Sequence, residues 1–190
     1  MSSVGPSTAP PPGPATVDAD PDALADRIRA LAADRGRLLV GLTGGPGSGK
    51  STLAETLQRT LGPGAAVVPM DGFHLAQAVL TAHGTSDVKG APQTFDGAGY
   101  LALLRRLRTE TEGVVYAPAF DRSLEEPIAG AIPVGPDVRI VLTEGNYLLL
   151  DTPPWRDVAA LLDVVWFLDP GHDERVQRLV DRHVRYGRTA

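Results

Sequence analysis

The 190-residue chain contains no cysteine, which excludes disulfides, thiolate metal sites and a cysteine nucleophile. Lysine is nearly absent too. Only Lys50 and Lys89 occur, so the rest of the positive charge is arginine. A net charge of −5 argues against a general nucleic-acid or membrane-surface binder. No apolar stretch approaches membrane-spanning length, and the first residues lack the charged-then-apolar layout of a signal peptide, so a cytoplasmic location is expected. Residues 1–20 open with Pro, Ala, Ser and Gly and almost no apolar bulk. They read as a disordered tail, leaving 21–190 as one domain large enough for a real core.

What is present is organised around Gly44-Gly45-Pro46-Gly47-Ser48-Gly49-Lys50-Ser51-Thr52, which fits G-x-x-x-x-G-K-[ST] at every fixed position. The apolar run Leu38–Leu42 ahead of it reads as a buried strand. Leu53, Ala54, Leu57 and Leu61 behind it recur at helical spacing up to Gly62. In a strand–loop–helix unit of this kind, backbone N–H groups turn inward around a polyphosphate and the helix N-terminus adds partial positive charge. Lys50 is expected at the β- and γ-phosphates of a nucleoside triphosphate, and Ser51 on Mg²⁺.

Along the chain, Leu24, Ile28 and Leu31 define a helix face, with Gly36 as its stop. Ala65–Met70 reads as a short strand ending at Asp71, residues 81–97 as a long loop, and Leu101–Arg108 as a helix. Val114–Tyr116 suits a short strand before Pro118. Val138–Leu142 is a strand running into Glu144, Trp155–Leu162 a helix, and Val164–Leu168 a strand ending at Asp169. His172 to Arg185 is a charged helix. Alternating strands and helices predict an α/β sandwich with a mostly parallel sheet.

Asp71, Glu144 and Asp169 therefore stand at strand ends, where ligands sit in open parallel sheets. Such acids can ligate Mg²⁺, accept a proton or cap the next helix; Pro170 and the helix after Asp169 favour capping there. Arg175, Arg178, Arg182, Arg185 and Arg188 fall near helical spacing, either as a solvated amphipathic face or as a lid over a triphosphate. His74 reads equally as a substrate contact, an alternative base or a structural histidine, whereas Tyr147 and Trp166 read as core.

These segments resemble the P-loop small-molecule kinases of the phosphoribulokinase, uridine kinase and pantothenate kinase superfamily, especially the bacterial nucleoside/nucleotide kinase family proteins. The resemblance is carried by Gly44–Thr52, Met70-Asp71-Gly72-Phe73-His74, Gly90–Asp96, Pro118–Arg122, Glu144–Leu149 and Arg178–Gly187, from about Leu38 to the end of the chain. It implies the P-loop NTPase three-layer sandwich with an arginine-rich lid helix, and ATP and Mg²⁺ as cofactors. By this resemblance Asp71 takes the proton of an acceptor hydroxyl, and Glu144 lies near the metal and its waters, with Ser51 and Asp71 close to it. Arg178 and Arg182 match lid arginines. Asp71, Phe73, His74, Phe95, Asp96, Phe120, Asp121 and Arg122 match the acceptor pocket. Family members continue past the lid with a further helix and strand, so a short C-terminus is expected at Ala190.

The expected activity is ATP-dependent phosphorylation of a hydroxyl on a small metabolite, whether nucleoside, pantothenate-like or sugar. A regulatory or chaperone-like NTPase and a catalytically degenerate kinase remain the alternatives. The expected partner is a small molecule, neither nucleic acid nor membrane, and a homodimer is left open.

Overall fold

The computed structural model describes residues 20–170. The residues 1–19 of the expected tail and the whole arginine helix, with Arg178 and Arg182, lie outside the described residues. The order of elements is α1 (Pro21–Ala32), β1 (Leu38–Thr43), α2 (Lys50–Leu61), β2 (Ala65–Val67), α3 (Gln77–His83), α4 (Gly97–Thr109), β3 (Val115–Asp121), β4 (Glu126–Val134), β5 (Ile140–Gly145), α5 (Trp155–Leu161) and β6 (Val164–Phe167). Short 3₁₀ turns cover Met70–Phe73, Ser86–Val88 and Pro92–Thr94. No described helix is long and apolar enough to cross a membrane.

The main sheet is parallel, in the order β2-β5-β1-β6. Every residue of β1 and β5 is buried, which is why both read as nearly continuous apolar runs. Alternation still sorts their side chains between two cores. Leu38, Val40, Leu42 and Leu142 meet Leu24 and Ile28 of α1 and Leu53 and Leu57 of α2. Leu39 and Val141 face Leu104 and Leu107 of α4 and Trp155 and Val158 of α5 on the other side. Helices on both faces of one parallel sheet make the three-layer arrangement.

Several local expectations are corrected. The strand at 65–70 stops at Val67, so Asp71 sits in a 3₁₀ turn rather than at a strand end. The stretch at 81–97 is no plain loop, because α3 begins ahead of it and 3₁₀ turns run through it. β3 runs through Pro118 to Asp121 and pairs with β4 as an antiparallel hairpin; the register shifts between Ala117 and Ala119 to accommodate the residue lacking an N–H. Phe120 and Asp121 are thus strand residues, and only Arg122 belongs to the turn. Asp20 is not tail but the N-cap of α1, which ends at Ala32, before Gly36.

The amino-terminal end of the sheet is tied by one side chain. Arg37, 4% exposed, donates to the carbonyls of Val138 (2.7 Å), Leu107 (3.0 Å), Glu110 (2.9 Å) and Gly135 (2.8 Å). It thereby caps the last carbonyls of α4 and fixes the β4–β5 connection. Beside it Asp163 accepts from the Leu39 N–H at 2.8 Å and pairs with Arg35 at 2.5 Å and Arg108 at 3.0 Å.

Arg37→Leu should leave those carbonyls buried without donors, at about 1–3 kcal/mol for each one that water cannot reach. The expected result in urea unfolding is a loss of about 3 kcal/mol or more; a loss below about 1 kcal/mol would show that the end of α4 is held by other means.

Candidate active site

The chain leaves β1 through a loop that only glycine can build at three points. Gly44, Gly47 and Gly49 have φ of +151°, +80° and +89°. A Cβ on Gly44 would also lie 2.8 Å from Ser48 Oγ. Pro46 is exposed at the tip and Gly45 half-buried, while Ser48 is buried and Thr52, on the first turn of α2, is exposed. Lys50 is 6% exposed. Its ammonium donates back to the carbonyls of Gly44 at 2.9 Å and Gly45 at 3.0 Å.

Ser51, one residue further on, donates from Oγ to Glu144 Oε1 at 3.0 Å. Glu144 lies in the last two residues of β5, in register with Leu42, and is 7% exposed. Burial pushes its carboxyl above the usual carboxylate range, and the nearby Asp71 charge pushes the same way. The Ser51 hydrogen bond, Lys50 and Arg122 oppose that shift.

Asp71 reaches this neighbourhood because Gly72 lets its turn lie directly on β3. A Cβ on Gly72 would stand 2.7 Å from the Pro118 carbonyl carbon. The Asp71 carboxylate accepts from Arg122 at 3.3 Å, with both side chains partly exposed. Hydroxyls stitch the strand ends around the two acids. Thr43 Oγ1 donates to the Gly145 carbonyl at 2.8 Å and Thr143 Oγ1 to that of Val68 at 2.6 Å. With the Thr143 proton committed, the buried Tyr100 hydroxyl donates to Thr143 Oγ1 at 2.5 Å, and burial raises its pKa well above normal.

An aromatic group adjoins Asp71. The His74 ring lies 4.0 Å from Phe95 and 4.7 Å from Phe120, centroid to centroid. Its Nδ1 is 2.8 Å from the Asp71 carbonyl, which can only accept, so Nδ1 carries the proton. Phe73 packs on Tyr100 at 5.1 Å and Phe95 on Tyr147 at 5.7 Å. Two other acids from the sequence reading are engaged locally. Asp96 caps α4 through the Gly99 N–H at 2.8 Å. Asp121 accepts from Ser123 and Leu124, bonds that shape the hairpin turn and hold its carboxyl below the usual range. Asp169 follows β6, but the helix it was expected to cap lies outside the described residues.

Sequence reasoning missed some participants. Trp166 is a core residue, but Tyr147 is only half-buried; its hydroxyl donates to the Gly90 carbonyl at 2.5 Å, and burial and the Asp71 charge raise its pKa. Lys89, the second lysine, places its ammonium 5.5 Å from the Phe120 ring centroid. Its rarity in the composition was the available signal.

The donor set suits Mg²⁺. Ser51 and Glu144 are hard oxygen donors 3.0 Å apart, and among the described residues no group of three or more His, Cys, Asp or Glu could form an all-protein cage. Few protein ligands beside phosphate oxygens is the usual pattern for this ion.

No protein-family model matches the chain. It is 37% identical over 175 residues to a candidate uridine kinase from Schizosaccharomyces pombe, covering 87% of this chain and 74% of that protein. It is 38% identical over 125 residues to an ATP-dependent kinase-like protein from Aspergillus versicolor, covering 62% of this chain and 73% of the other. Among solved structures, a candidate fructose transport system kinase from Silicibacter sp. superposes with a TM-score of 0.78 at 43% identity, covering 89% of this chain and 84% of the other.

Because its carboxyl is raised in the fold, Glu144 binds its proton more tightly folded than unfolded, where the reference value is about 4.3. Without nucleotide or metal its contribution to stability is therefore most favourable below about pH 4.3 and declines as pH rises through the folded value. Glu144→Gln should remove that decline and raise Tm at neutral pH relative to wild type. Thermal melts in EDTA between about pH 4 and 8 would check it; a constant offset between the two curves would refute the linkage.

Proposed function

We propose that this chain, which belongs to the uridine kinase-like P-loop kinases, transfers the γ-phosphoryl group of ATP to a hydroxyl of a small metabolite. The observation that carries the proposal is the pair of acids beside the phosphate-binding loop. Glu144 is bound to the loop serine, while Asp71 stands on a separate turn beside an aromatic cluster. A nucleotide switch needs the first acid. The second is the one an acceptor hydroxyl would meet.

In this reading the loop amides and the helix N-terminus bind the phosphates, and Lys50 exchanges carbonyl partners for phosphate oxygens. Ser51 and Glu144 would hold Mg²⁺, which supplies charge neutralisation at the β- and γ-oxygens when bound. Asp71 orients the acceptor hydroxyl and accepts its proton as the acceptor oxygen bonds to the γ-phosphorus. The bond from that phosphorus to the bridging oxygen breaks, and ADP leaves with the electron pair. Arg122 holds the Asp71 carboxylate from the hairpin side. Phe73, His74, Phe95 and Phe120 form the acceptor wall, and Asp96 and Asp121 shape its backbone. By resemblance, Arg178 and Arg182 stabilise charge on the transferring group.

Incubation with ATP and a panel of nucleosides (uridine first), sugars (fructose first) and pantothenate-like alcohols, read by product mass, should yield one class of phosphorylated product. ATP hydrolysis that no panel member changes would favour a regulatory NTPase instead. Lys50→Ala should lower both ATP affinity and turnover. Asp71→Asn should spare ATP binding and lower transfer by about 10²–10⁴-fold, whereas Glu144→Gln should raise the Mg²⁺ concentration required. Interchangeable phenotypes for the two acids would refute their division of labour.

Arg178→Ala and Arg182→Ala should each depress kcat more than ATP affinity, by up to about 10³-fold, with little change in Tm. Steady-state kinetics beside thermal melts would check this, and normal kcat in both variants would leave a solvated helix.

A further inference from the structure

The chain between His74 and Phe95 makes an excursion that returns to its starting point. Its ends are pinned by hydrogen bonds from Leu75 N to Thr94 O at 2.9 Å and from Asp96 N to Phe73 O at 2.8 Å. Between these ends, α3 and two 3₁₀ turns stand over the β3–β4 turn, the turn that carries Arg122 to Asp71. The hydrogen bonds between the two segments come from Lys89 and Gln77. The Lys89 ammonium donates to the Glu125 carbonyl at 2.7 Å and stands over the Phe120 ring, while its bond to Gln77 Oε1 at 3.4 Å lies within the excursion itself. A second tie runs from the Gln77 N–H to the Glu126 carboxylate at 3.1 Å.

Three features separate this lysine from an ordinary surface lysine. Its oxygen partners are neutral, and among the described residues it makes no ion pair, so its charge is directed at a carbonyl and a ring face. The accepting carbonyl belongs to Glu125, which with φ of +56° is the one non-glycine residue in the left-handed region among those described. A conformation costing on the order of 1 kcal/mol persists where something holds it; the Asp121 bonds shape the turn from within, and the ammonium holds the Glu125 carbonyl from outside. The neighbouring Gly90 is held from the opposite side by the Tyr147 hydroxyl. The excursion is thus clasped between the hairpin turn and the loop after β5.

We propose that Lys89 is a positioning residue for the acceptor, latching the 75–94 excursion onto the β3–β4 turn so that Phe120, His74 and Arg122 stay in place around the acceptor. The inference rests on the kinase reading above. The ammonium acts through the turn, not on the reacting atoms. Losing it frees Phe120 and Arg122 to drift, which weakens acceptor binding while leaving the phosphate-binding loop, on a different strand, untouched.

The test uses the full chain and three substitutions. Lys89→Met keeps the aliphatic stem and removes the charge. Lys89→Arg keeps the charge, and Glu125→Gly relieves the left-handed residue while keeping its carbonyl. Amide hydrogen exchange with MgATP, and kinetics with uridine, fructose or whichever panel member is phosphorylated, supply the readouts. Lys89→Met is expected to speed exchange in residues 84–90 and 122–127 and to raise acceptor KM about tenfold, a difference of about 1.4 kcal/mol, with ATP affinity and kcat nearly unchanged. Lys89→Arg should restore most of the acceptor affinity, and Glu125→Gly should match wild type. Unchanged exchange in Lys89→Met overturns the latch whatever the activity. Faster exchange with normal acceptor KM, or an equal loss of ATP affinity, overturns the positioning role. A wild type that phosphorylates nothing fails the kinase reading and the acceptor role with it, while the exchange result still decides the latch by itself.

Discussion

Glu144 is an acid held almost wholly out of water at the end of a central strand, and the surroundings are arranged around that cost. A lone buried carboxylate takes up a proton rather than stay charged. Here the loop after β1 brings a hydroxyl into hydrogen bond and an ammonium close by, which oppose the upward push of burial and of the Asp71 charge. The requirement propagates outward. The loop can make its approach only through glycines at positive φ, and the Asp71 turn can sit where it does only because Gly72 presents no side chain to β3. Thr43 and Thr143 then fix the strand ends on either side.

The two ends of the sheet divide the labour. At the amino end, Arg37 and Asp163 form dense networks of fully partnered charge whose role is to join elements. At the carboxyl end Asp71 and Arg122 are partly exposed and the buried Glu144 carboxyl is raised in pKa, and these groups meet from separate elements. Parallel strands impose this polarity, because every one of them delivers its following loop to the same edge. Rigidity at one edge lets the other carry strained and repelling groups.

The phosphate-binding loop and the central strands were legible because each is a local pattern. Glycines with Lys50 and Ser51 follow one apolar run, and β5 and β6 are runs of the same kind. What escaped depends on distant residues. α3 has no side-chain cap of its own; its first amide is satisfied by Glu126, 49 positions away. β4 carries Pro127, Gly130 and Pro133 along a largely exposed edge, which reads as loop until β3 is there to pair with it. Arg37 looks like any arginine before a strand. Its four carbonyl partners come from two separate regions of the chain, and no spacing rule relates them. Asp71 and Glu144 could be nominated singly, but their shared field exists only in three dimensions.

Lys50 is already engaged by the loop's own carbonyls. On the proposed reading, nucleotide capture is an exchange of partners, not the recruitment of a wandering side chain. The rotamer entropy of a long cationic residue has been surrendered during folding, so it does not weigh against the ligand. What an incoming anion must supply is an oxygen that attracts the ammonium more strongly than two neutral carbonyls together. A polyphosphate with several charged oxygens meets that threshold more readily than a single weak acceptor. On that reading the loop acts as a comparator of charge density, answering to how negative its visitor is.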